Sequence, residues 1–193
     1  LFAAHELLPL GAVQGDEGPL RPVRDPAALP TPFRPGGRIT PATSSQLSDG
    51  AAALLLMGAE ALARCHVRPL ARVLAWADAG VPDPRCFPLA PIDAIRCAAR
   101  HAALPLAAID LFEINEAFAL VPLVVARALG IDPDAQVNVL GGAVALGHPL
   151  GCSGARIIAT LLTALASTGK RIGCAAICNG GGGATALIIE RIV

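Results

Sequence analysis

The C-terminal part of the chain consists of two apolar segments, residues 171–178 and 185–193, separated by Asn179 and four consecutive glycines. A helix that crosses a bilayer needs about 20 consecutive apolar residues, and no such helix would carry this glycine run. Short apolar segments bounded by glycine predict buried strands instead. Because 54% of the 193 residues are hydrophobic, the chain has enough apolar surface to form a core, which excludes intrinsic disorder.

The charge balance excludes several classes of partner. Fifteen basic and 15 acidic residues cancel, so we expect neither a nucleic-acid-binding face nor a polybasic membrane anchor. Charged residues make up only 16% of the chain, below the roughly 25% of soluble domains, which indicates a surface partly covered by another chain or by further sequence. The six cysteines include no CxxC pair, so we expect reduced thiols in the cytoplasm of a bacterium or in a mitochondrial matrix, and no zinc site.

The order of elements predicts an α/β domain with a helix-covered sheet. Prolines concentrated before residue 42 predict an extended segment over 1–41. Helices are predicted over 51–64 (buried nearly all round, with a cap at 48–50), 92–101, 115–129 and 153–167, and strands over 69–78, 136–140, 171–178 and 185–193.

Three polar residues lie in sequence contexts that suit a catalytic role. His148 lies in the glycine-rich loop 141–152, where glycines let the backbone approach a ligand closely. Cys178 ends an apolar segment beside glycine N–H groups, such as that of Gly180, and its thiol suits proton transfer if a polar neighbour lowers its pKa. Asn115 has a simpler reading as the N-cap of the helix that follows it, with Glu116 placed only for the helix dipole. Nucleotide-binding readings of the two glycine-rich runs are weak, because both lack the residues that would complete the motif.

Three motifs together resemble the thiolase family. They are NEAF at 115–118, NVLGGAVALGHPLGCSGAR at 138–156 and CNGGGG at 178–183, and similar segments at 16–19 and 40–53 extend the resemblance over essentially the whole chain. The segments FPLAP at 87–91 and CNGGGGA are most similar to those of mitochondrial-type acetoacetyl-CoA thiolases. The resemblance implies the C-terminal half of a thiolase-like α/β fold, with a mixed five-stranded sheet covered by helices.

The resemblance also implies a role for each matched residue. Cys178 would be the acid/base that removes or returns the α-proton of an acyl-CoA. His148 would activate the acyl-accepting thiol and form an oxyanion hole with a water held by Asn115, while the Gly180 N–H would serve a second oxyanion hole. Coenzyme A thioesters would be substrates, and no resident organic cofactor is expected. Two further residues would bind substrate, Ser45 at the pantetheine arm and Phe87 in the acyl pocket.

Some members of the family bind potassium through backbone carbonyls. The matching positions here are Ala42, Ser44 and Val144. Thr43 stands where the family usually has asparagine, so this edge of the site departs from the pattern.

A larger departure is the acyl-accepting cysteine, which the family carries in an N-terminal C-x-S-G motif. No cysteine of this sequence has that context, since Cys152 lies inside the matched GHP loop. We therefore expect residues 1–41 to be the tail of the loop domain and an extended linker, and 42–193 to be the thiolase C-terminal domain. The nucleophile would come from an N-terminal half in the same or a separate chain, within a dimer or tetramer.

The function implied is reversible Claisen condensation of two acetyl-CoA molecules to acetoacetyl-CoA, or thiolysis of 3-ketoacyl-CoA. Two alternatives remain open at this point. One is a non-catalytic thiolase-like lipid carrier or scaffold, against which the retained Asn115, His148 and Cys178 count. The other, weaker one is a β-ketoacyl synthase, which uses a second histidine where Cys178 stands.

Overall fold

Secondary structure is concentrated after residue 70. The computed structural model describes residues 6–20 and 25–192. The strands are β1 (Ala71–Gly80), β2 (Leu111–Ile114), β3 (Ile172–Cys178) and β4 (Gly183–Arg191), and the helices are α1 (Ala59–Cys65), α2 (Ala90–His101), α3 (Leu120–Leu129), α4 (Ala143–Leu146) and α5 (Ser153–Thr168). We call residues 71–191 the body and the described residues before them, 6–20 and 25–70, the N-terminal segment.

The strands form one mixed sheet in the order β1-β4-β3-β2. β1 and β3 pair with β4 antiparallel, whereas β2 pairs with β3 in parallel. The Asp110 carboxylate fixes the start of this parallel pair, because it accepts hydrogen bonds from the Arg171 and Ile172 N–H groups at 3.1 and 2.8 Å. The carboxyl ends of β2 and β3 consequently lie side by side.

Helices cover both faces of the sheet, as predicted for an α/β domain. On one face α2 packs small residues such as Ala94 and Ala98 against β1 and β4. On the other face α5 lies over β2 and β3, with Leu161 and Leu165 fully buried. Burying a leucine side chain contributes on the order of 1.5–3 kcal/mol, so these contacts hold α5 firmly above the parallel pair.

The sheet has four strands among the described residues, not the five that the resemblance implied, and the strand predicted over 136–140 is absent from it. The segment 136–140 makes a single bridge, between Val137 and Phe112, because the chain turns at Asn138, where φ is +47°. The structure also contains β2, which the sequence pattern missed. Its four residues are all buried, but Glu113 in their middle obscures the apolar signal.

Two helix predictions before the site are also wrong. The helix expected over 51–64 begins only at Ala59 and buries none of its residues, and Leu55 and Leu56 before it are 83% and 72% exposed. The segment is apolar, but no described element covers it, and an apolar helix gains its stability from burial. The helix expected from residue 115 begins instead at Leu120, which places Pro122 in the first turn, where proline is tolerated.

Other expectations agree with the structure. The helices at 90–101 and 153–168 match the predicted ones within two residues, and so do the starts of β1, β3 and β4. All six cysteines are free thiols. Within 6–20 and 25–192, no helix is long and apolar enough to span a bilayer. Residues 1–5, 21–24 and 193, which belong to the predicted extended segment and last strand, lie outside the described residues.

Candidate active site

Two of the predicted residues lie at the adjoining carboxyl ends of β2 and β3. Asn115 directly follows β2, and its backbone N–H donates to the Ala176 carbonyl of β3 at 2.9 Å. Cys178 is the last residue of β3. The edge of a sheet at which parallel strands end is a common place for ligand sites in α/β folds. The parallel pairing of β2 and β3 is therefore what brings the asparagine and the cysteine to one edge.

His148 reaches the same place from the loop after α4. Its backbone N–H donates to the Gln46 carbonyl at 2.9 Å, and its side chain is buried. The preceding Gly147 has φ of +93°, and a Cβ there would lie 2.4 Å from the Ser48 hydroxyl oxygen. This turn into His148 requires glycine both for its backbone conformation and for its close approach to the N-terminal segment.

Both ring nitrogens of His148 have partners. Nε2 lies 3.1 Å from Nδ2 of Asn115, and Nδ1 lies 2.6 Å from Oγ of Ser153. The Ser153 hydroxyl donates its only proton to the Pro149 carbonyl, so Nδ1–H must donate to Oγ. Nε2 then carries a lone pair that accepts from the Asn115 amide. The hydrogen-bond balance thus assigns a neutral imidazole whose Nε2 faces Asn115.

The electrostatic surroundings favour the same protonation state. Burial first, and the nearby Arg156 charge second, lower the pKa of His148. A histidine that stays neutral at physiological pH can accept a proton from a thiol. The lowered pKa therefore favours the neutral ring, the form in which an imidazole can accept a proton.

Asn115 is not the helix cap that the simpler reading supposed. It lies five residues before α3, is 1% exposed, and directs its side chain to His148 and Arg156. Arg156 Nη2 lies 3.5 Å from Oδ1 of Asn115, and Nη1 donates to Oε1 of Glu113 at 3.1 Å. Burial raises the pKa of Glu113 to about 8, against the opposing attraction of Arg156.

Glu116 supports the histidine loop instead of serving only the helix dipole. Its carboxylate accepts from Nδ2 of Asn138 and from the Val144 N–H, both at 3.0 Å. Gly142 makes this possible, since a Cβ there would lie 2.4 Å from the Glu116 carboxyl carbon. Because Val144 belongs to α4, the contact ties the residue after Asn115 to the helix that precedes His148.

Cys178 lies beside a tight turn. Oδ1 of Asn179 accepts from the Gly181 and Gly183 N–H groups at 3.0 and 3.2 Å, and Gly180 is exposed on this turn. The thiol itself is buried, and burial raises its pKa, contrary to the lowering that a polar neighbour would produce. Cys174 is fully buried, with its pKa raised to about 12, as expected of a cysteine that acts as a small hydrophobic side chain.

The two predicted substrate-binding residues lie near the NEAF turn. Ser45 donates from Oγ to the Ala117 carbonyl at 3.0 Å. The Phe87 ring lies 6.2 Å from that of Phe118, centroid to centroid. Their contacts with pantetheine and acyl group remain predictions.

The three predicted potassium-binding residues belong to two segments that meet the same turn. Ala119 N–H donates to the Thr43 carbonyl, and Val144 N–H donates to Glu116, so the segments that contain Ala42, Ser44 and Val144 both contact residues 116–119. Backbone carbonyl oxygens are ligands that suit a hard cation, and binding of potassium at these positions remains a prediction. In the described parts of the chain, no group of three or more His, Cys, Asp or Glu side chains could hold a metal.

Sequence reasoning missed three residues of this network, namely Glu113, Ser153 and Arg156. A signal was available for Glu113, because an acidic residue inside the apolar run LFEI requires a buried partner. Ser153 and Arg156 lie inside the glycine-rich motif, but nothing in the spacing showed which way their side chains point.

Comparison with known proteins defines the class to which this fold and site belong. The family profile "Thiolase, C-terminal domain" matches residues 67–191, and the chain belongs to the thiolase family. The match leaves the predicted boundary at residue 41/42 untested.

The individual relatives are named as an acetyl-CoA acetyltransferase and as thiolases. The chain is 46% identical over 165 residues to "Acetyl-CoA acetyltransferase ERG10, cytosolic" of Gibberella zeae, covering 86% of this chain and 41% of that protein. The Ascaris suum Acat5 thiolase, solved in complex with coenzyme A, superposes with a TM-score of 0.87 at 40% identity, over 99% of this chain and 50% of that one. Human mitochondrial 3-ketoacyl-CoA thiolase superposes with a TM-score of 0.79 at 37% identity, over 86% and 42%. The chain thus spans about two fifths to one half of the length of these relatives.

Proposed function

We propose that this chain provides the proton-transfer and oxyanion-stabilising half of a thiolase active site. The observation that carries the proposal is the convergence of Asn115, His148 and Cys178 at one sheet edge, with the Asn115 amide hydrogen-bonded to a neutral His148. The reaction is condensation of two acetyl-CoA molecules to acetoacetyl-CoA and CoA, or thiolysis of a 3-ketoacyl-CoA in reverse.

The first half-reaction forms an acyl-enzyme. His148 accepts the proton of a nucleophilic cysteine at Nε2 and keeps it, and the resulting thiolate attacks the thioester carbonyl and expels CoA as a thiolate, which takes up a proton from solvent. The nucleophile belongs to an N-terminal half in the same or a separate chain. A neutral imidazole is required at the outset, in agreement with its lowered pKa.

The second half-reaction forms the carbon–carbon bond. The Cys178 thiol first releases its proton to solvent, and its thiolate then removes an α-proton from a second acetyl-CoA. The enolate oxygen is stabilised by Nε2–H of His148 and by a water held on Asn115. The enolate carbon attacks the acyl-enzyme carbonyl, whose oxygen is stabilised by the Gly180 N–H, and the nucleophile leaves as a thiolate that takes its proton back from Nε2 of His148. Because both directions use the same groups, the chain serves synthesis and breakdown alike.

Binding and assembly follow the same proposal. Ser45 contacts the pantetheine arm and Phe87 lines the acyl pocket, and potassium binds at the carbonyls of Ala42, Ser44 and Val144. The complete unit is a homo-oligomer of two or four copies in the cytosol or the mitochondrial matrix. Relatives named as cytosolic and as mitochondrial support either compartment.

Isotope exchange at the acetyl methyl group of acetyl-CoA tests the role of Cys178. In the full-length polypeptide, Cys178→Ala should abolish exchange while acyl-enzyme formation persists, and Cys65→Ala, at an exposed thiol, should change neither. His148→Ala should slow both half-reactions by about 10²- to 10³-fold, as loss of an oxyanion donor does, with His101→Ala as the control. Exchange at the wild-type rate in Cys178→Ala would contradict the assignment.

The alternative, a non-catalytic carrier or scaffold, has a different signature. Alkylation of Cys178 should abolish catalysis in a thiolase, whereas a carrier would retain lipid binding after alkylation and show no thiolysis of acetoacetyl-CoA before it.

A further inference from the structure

Arg156 lies on the first turns of α5 and extends toward the end of β2. Glu113 and Asn115 are two residues apart along an extended chain, so their side chains point to the same side of the sheet. Arg156 contacts both of them, Oε1 of Glu113 at 3.1 Å through Nη1 and Oδ1 of Asn115 at 3.5 Å through Nη2. One guanidinium thus joins a buried carboxyl group to the amide of the site.

Burying the Arg156 guanidinium and the Glu113 carboxyl group costs free energy, and the contact between them does not by itself offset this cost. The Arg156 and Glu113 side chains are 12% and 2% exposed, and the raised pKa of Glu113 keeps its carboxyl group largely protonated near pH 7. Arg156 is therefore a buried cation whose partner offsets little of its desolvation cost. Glu6 and Glu116 lie near enough to disfavour a further negative charge on Glu113. Stability alone therefore does not explain a guanidinium at this position.

The contact with Asn115 has a chemical consequence. A primary amide has a donor end and an acceptor end of nearly equal size, so only its partners decide which way it points. Arginine can donate but cannot accept, and its charge attracts the amide oxygen. The guanidinium therefore holds Oδ1 and leaves Nδ2 facing Nε2 of His148.

We propose that Arg156 is a positioning residue of the active site, which fixes the orientation of the Asn115 amide, and that Glu113 holds Arg156 in place. The inference rests on the proposed function, in which Asn115 holds a water of the oxyanion hole beside Nε2 of His148. Arginine is required here because its planar fork reaches two acceptors at once, whereas lysine presents a single point charge.

A double-mutant cycle in the full-length polypeptide separates positioning from a general structural role. Arg156→Met should lower kcat by about 10- to 100-fold with little change in KM, and Arg156→Lys should restore only part of the loss. In an Asn115→Ala background, Arg156→Met should cost less than about twofold more, because the residue through which it acts is gone. An equal fractional loss in both backgrounds would overturn the proposal.

Two further variants keep the test decisive if Arg156→Met does not fold. Glu113→Gln retains an oxygen acceptor for Arg156 and should keep kcat within about threefold, whereas Glu113→Leu should reproduce the loss of Arg156→Met. Arg72→Met is the control, because Arg72 also pairs with a glutamate, Glu190, but is largely exposed and lies on β1, at the edge of the sheet opposite β2. A Glu113→Leu enzyme with wild-type kcat would contradict the holding role.

A measurement that does not depend on activity distinguishes this proposal from the proposed function. In protein carrying ¹⁵N-asparagine, the Asn115 side-chain NH₂ should show a nuclear Overhauser contact to the His148 ring in the wild type and lose it in Arg156→Met. Persistence of that contact in the variant would overturn the positioning role. If instead Asn115→Ala and His148→Ala kept full thiolase activity, the proposed function would fail while the amide orientation could still be confirmed.

Discussion

The body and the N-terminal segment differ in what their apolar residues do. In the body, apolar side chains from both faces of the sheet form two core clusters. In the N-terminal segment, α1 buries none of its residues, and Leu47, Leu55 and Leu56 are largely exposed. Residues 51–57 are all apolar and yet largely exposed, so the difference shows that burial depends on a complementary element and not on local apolar sequence alone.

The largest contrast should appear when a leucine is truncated in each region. Leu161→Ala removes a fully buried side chain that packs against Leu111, Ala175 and Ile189, and should lower the free energy of unfolding by about 2–5 kcal/mol. Leu55→Ala should change it by less than about 0.5 kcal/mol. Urea denaturation of both variants measures this. A loss of more than about 1 kcal/mol for Leu55→Ala would mean that another element covers this segment, and would contradict the difference in burial between the two regions.

The second contrast is in pH dependence, which we expect to arise in the body. Burial raises the pKa of Glu113 from 4.5 to about 8, so the folded state binds more protons than the unfolded state between these values. The free energy of unfolding should therefore fall by a few kcal/mol as the pH rises from about 4.5 to 8, and then level off. Urea denaturation at pH 5, 6, 7 and 8 measures this fall in the free energy of unfolding.

Glu113→Gln should remove this slope, whereas Glu60→Gln on the exposed helix α1 should keep it. Equal slopes in the wild type and Glu113→Gln would contradict a raised pKa at Glu113. The lowered pKa of His148 acts in the opposite sense, since it reduces stability only as the pH falls below about 6.5.

Close packing around a glycine gives a smaller contrast. Gly142→Ala would place Cβ 2.4 Å from the Glu116 carboxyl carbon, and should cost about 1–3 kcal/mol, as overpacking does. Gly58→Ala in the N-terminal segment has no heavy atom within 4 Å of the new Cβ, and should be nearly neutral. Thermal melting distinguishes them, and an unchanged Tm for Gly142→Ala would show that the Glu116 contact can move aside.

The smallest effect should come from the junction of the two regions. Ser45→Ala removes the hydrogen bond from Oγ to the Ala117 carbonyl, worth about 0.5–1.5 kcal/mol. Hydrogen exchange should become faster in the backbone around residue 45 while β3 and β4 keep their protection. Faster exchange throughout the sheet would mean that the N-terminal segment and the body unfold together.

The sequence predicted the elements that carry a long, unbroken pattern. The helices at 90–101 and 153–168 and the strands on either side of the glycine run were found this way. The errors share a physical cause, which is dependence on distant partners. β2 is only four residues long and contains a glutamate whose partner Arg156 is 43 residues away, and the 51–58 segment is apolar but uncovered.

The candidate site also contains residues that a local motif predicts and residues whose roles depend on distant partners. Asn115, His148 and Cys178 were found because each lies in a distinctive local motif, and the structure brings Asn115 and His148 into contact. The roles of Ser153 and Arg156 could not be found locally, because they depend on how α5 lies over β2. Glu116 was assigned to the helix dipole because its true partner, the Val144 N–H, lies 28 residues further along.

The parallel pairing of β2 with β3 also determines when the site can form. About sixty residues separate the two strands along the chain, so their pairing requires closure of a long loop, including α5, before any contact compensates for the lost chain entropy. Contacts of such high sequence separation slow folding. Asn115 and Cys178 come to the same edge of the sheet only once this pairing exists. Assembly of the candidate site after refolding should therefore follow the slowest step of sheet formation, not the early formation of local helices.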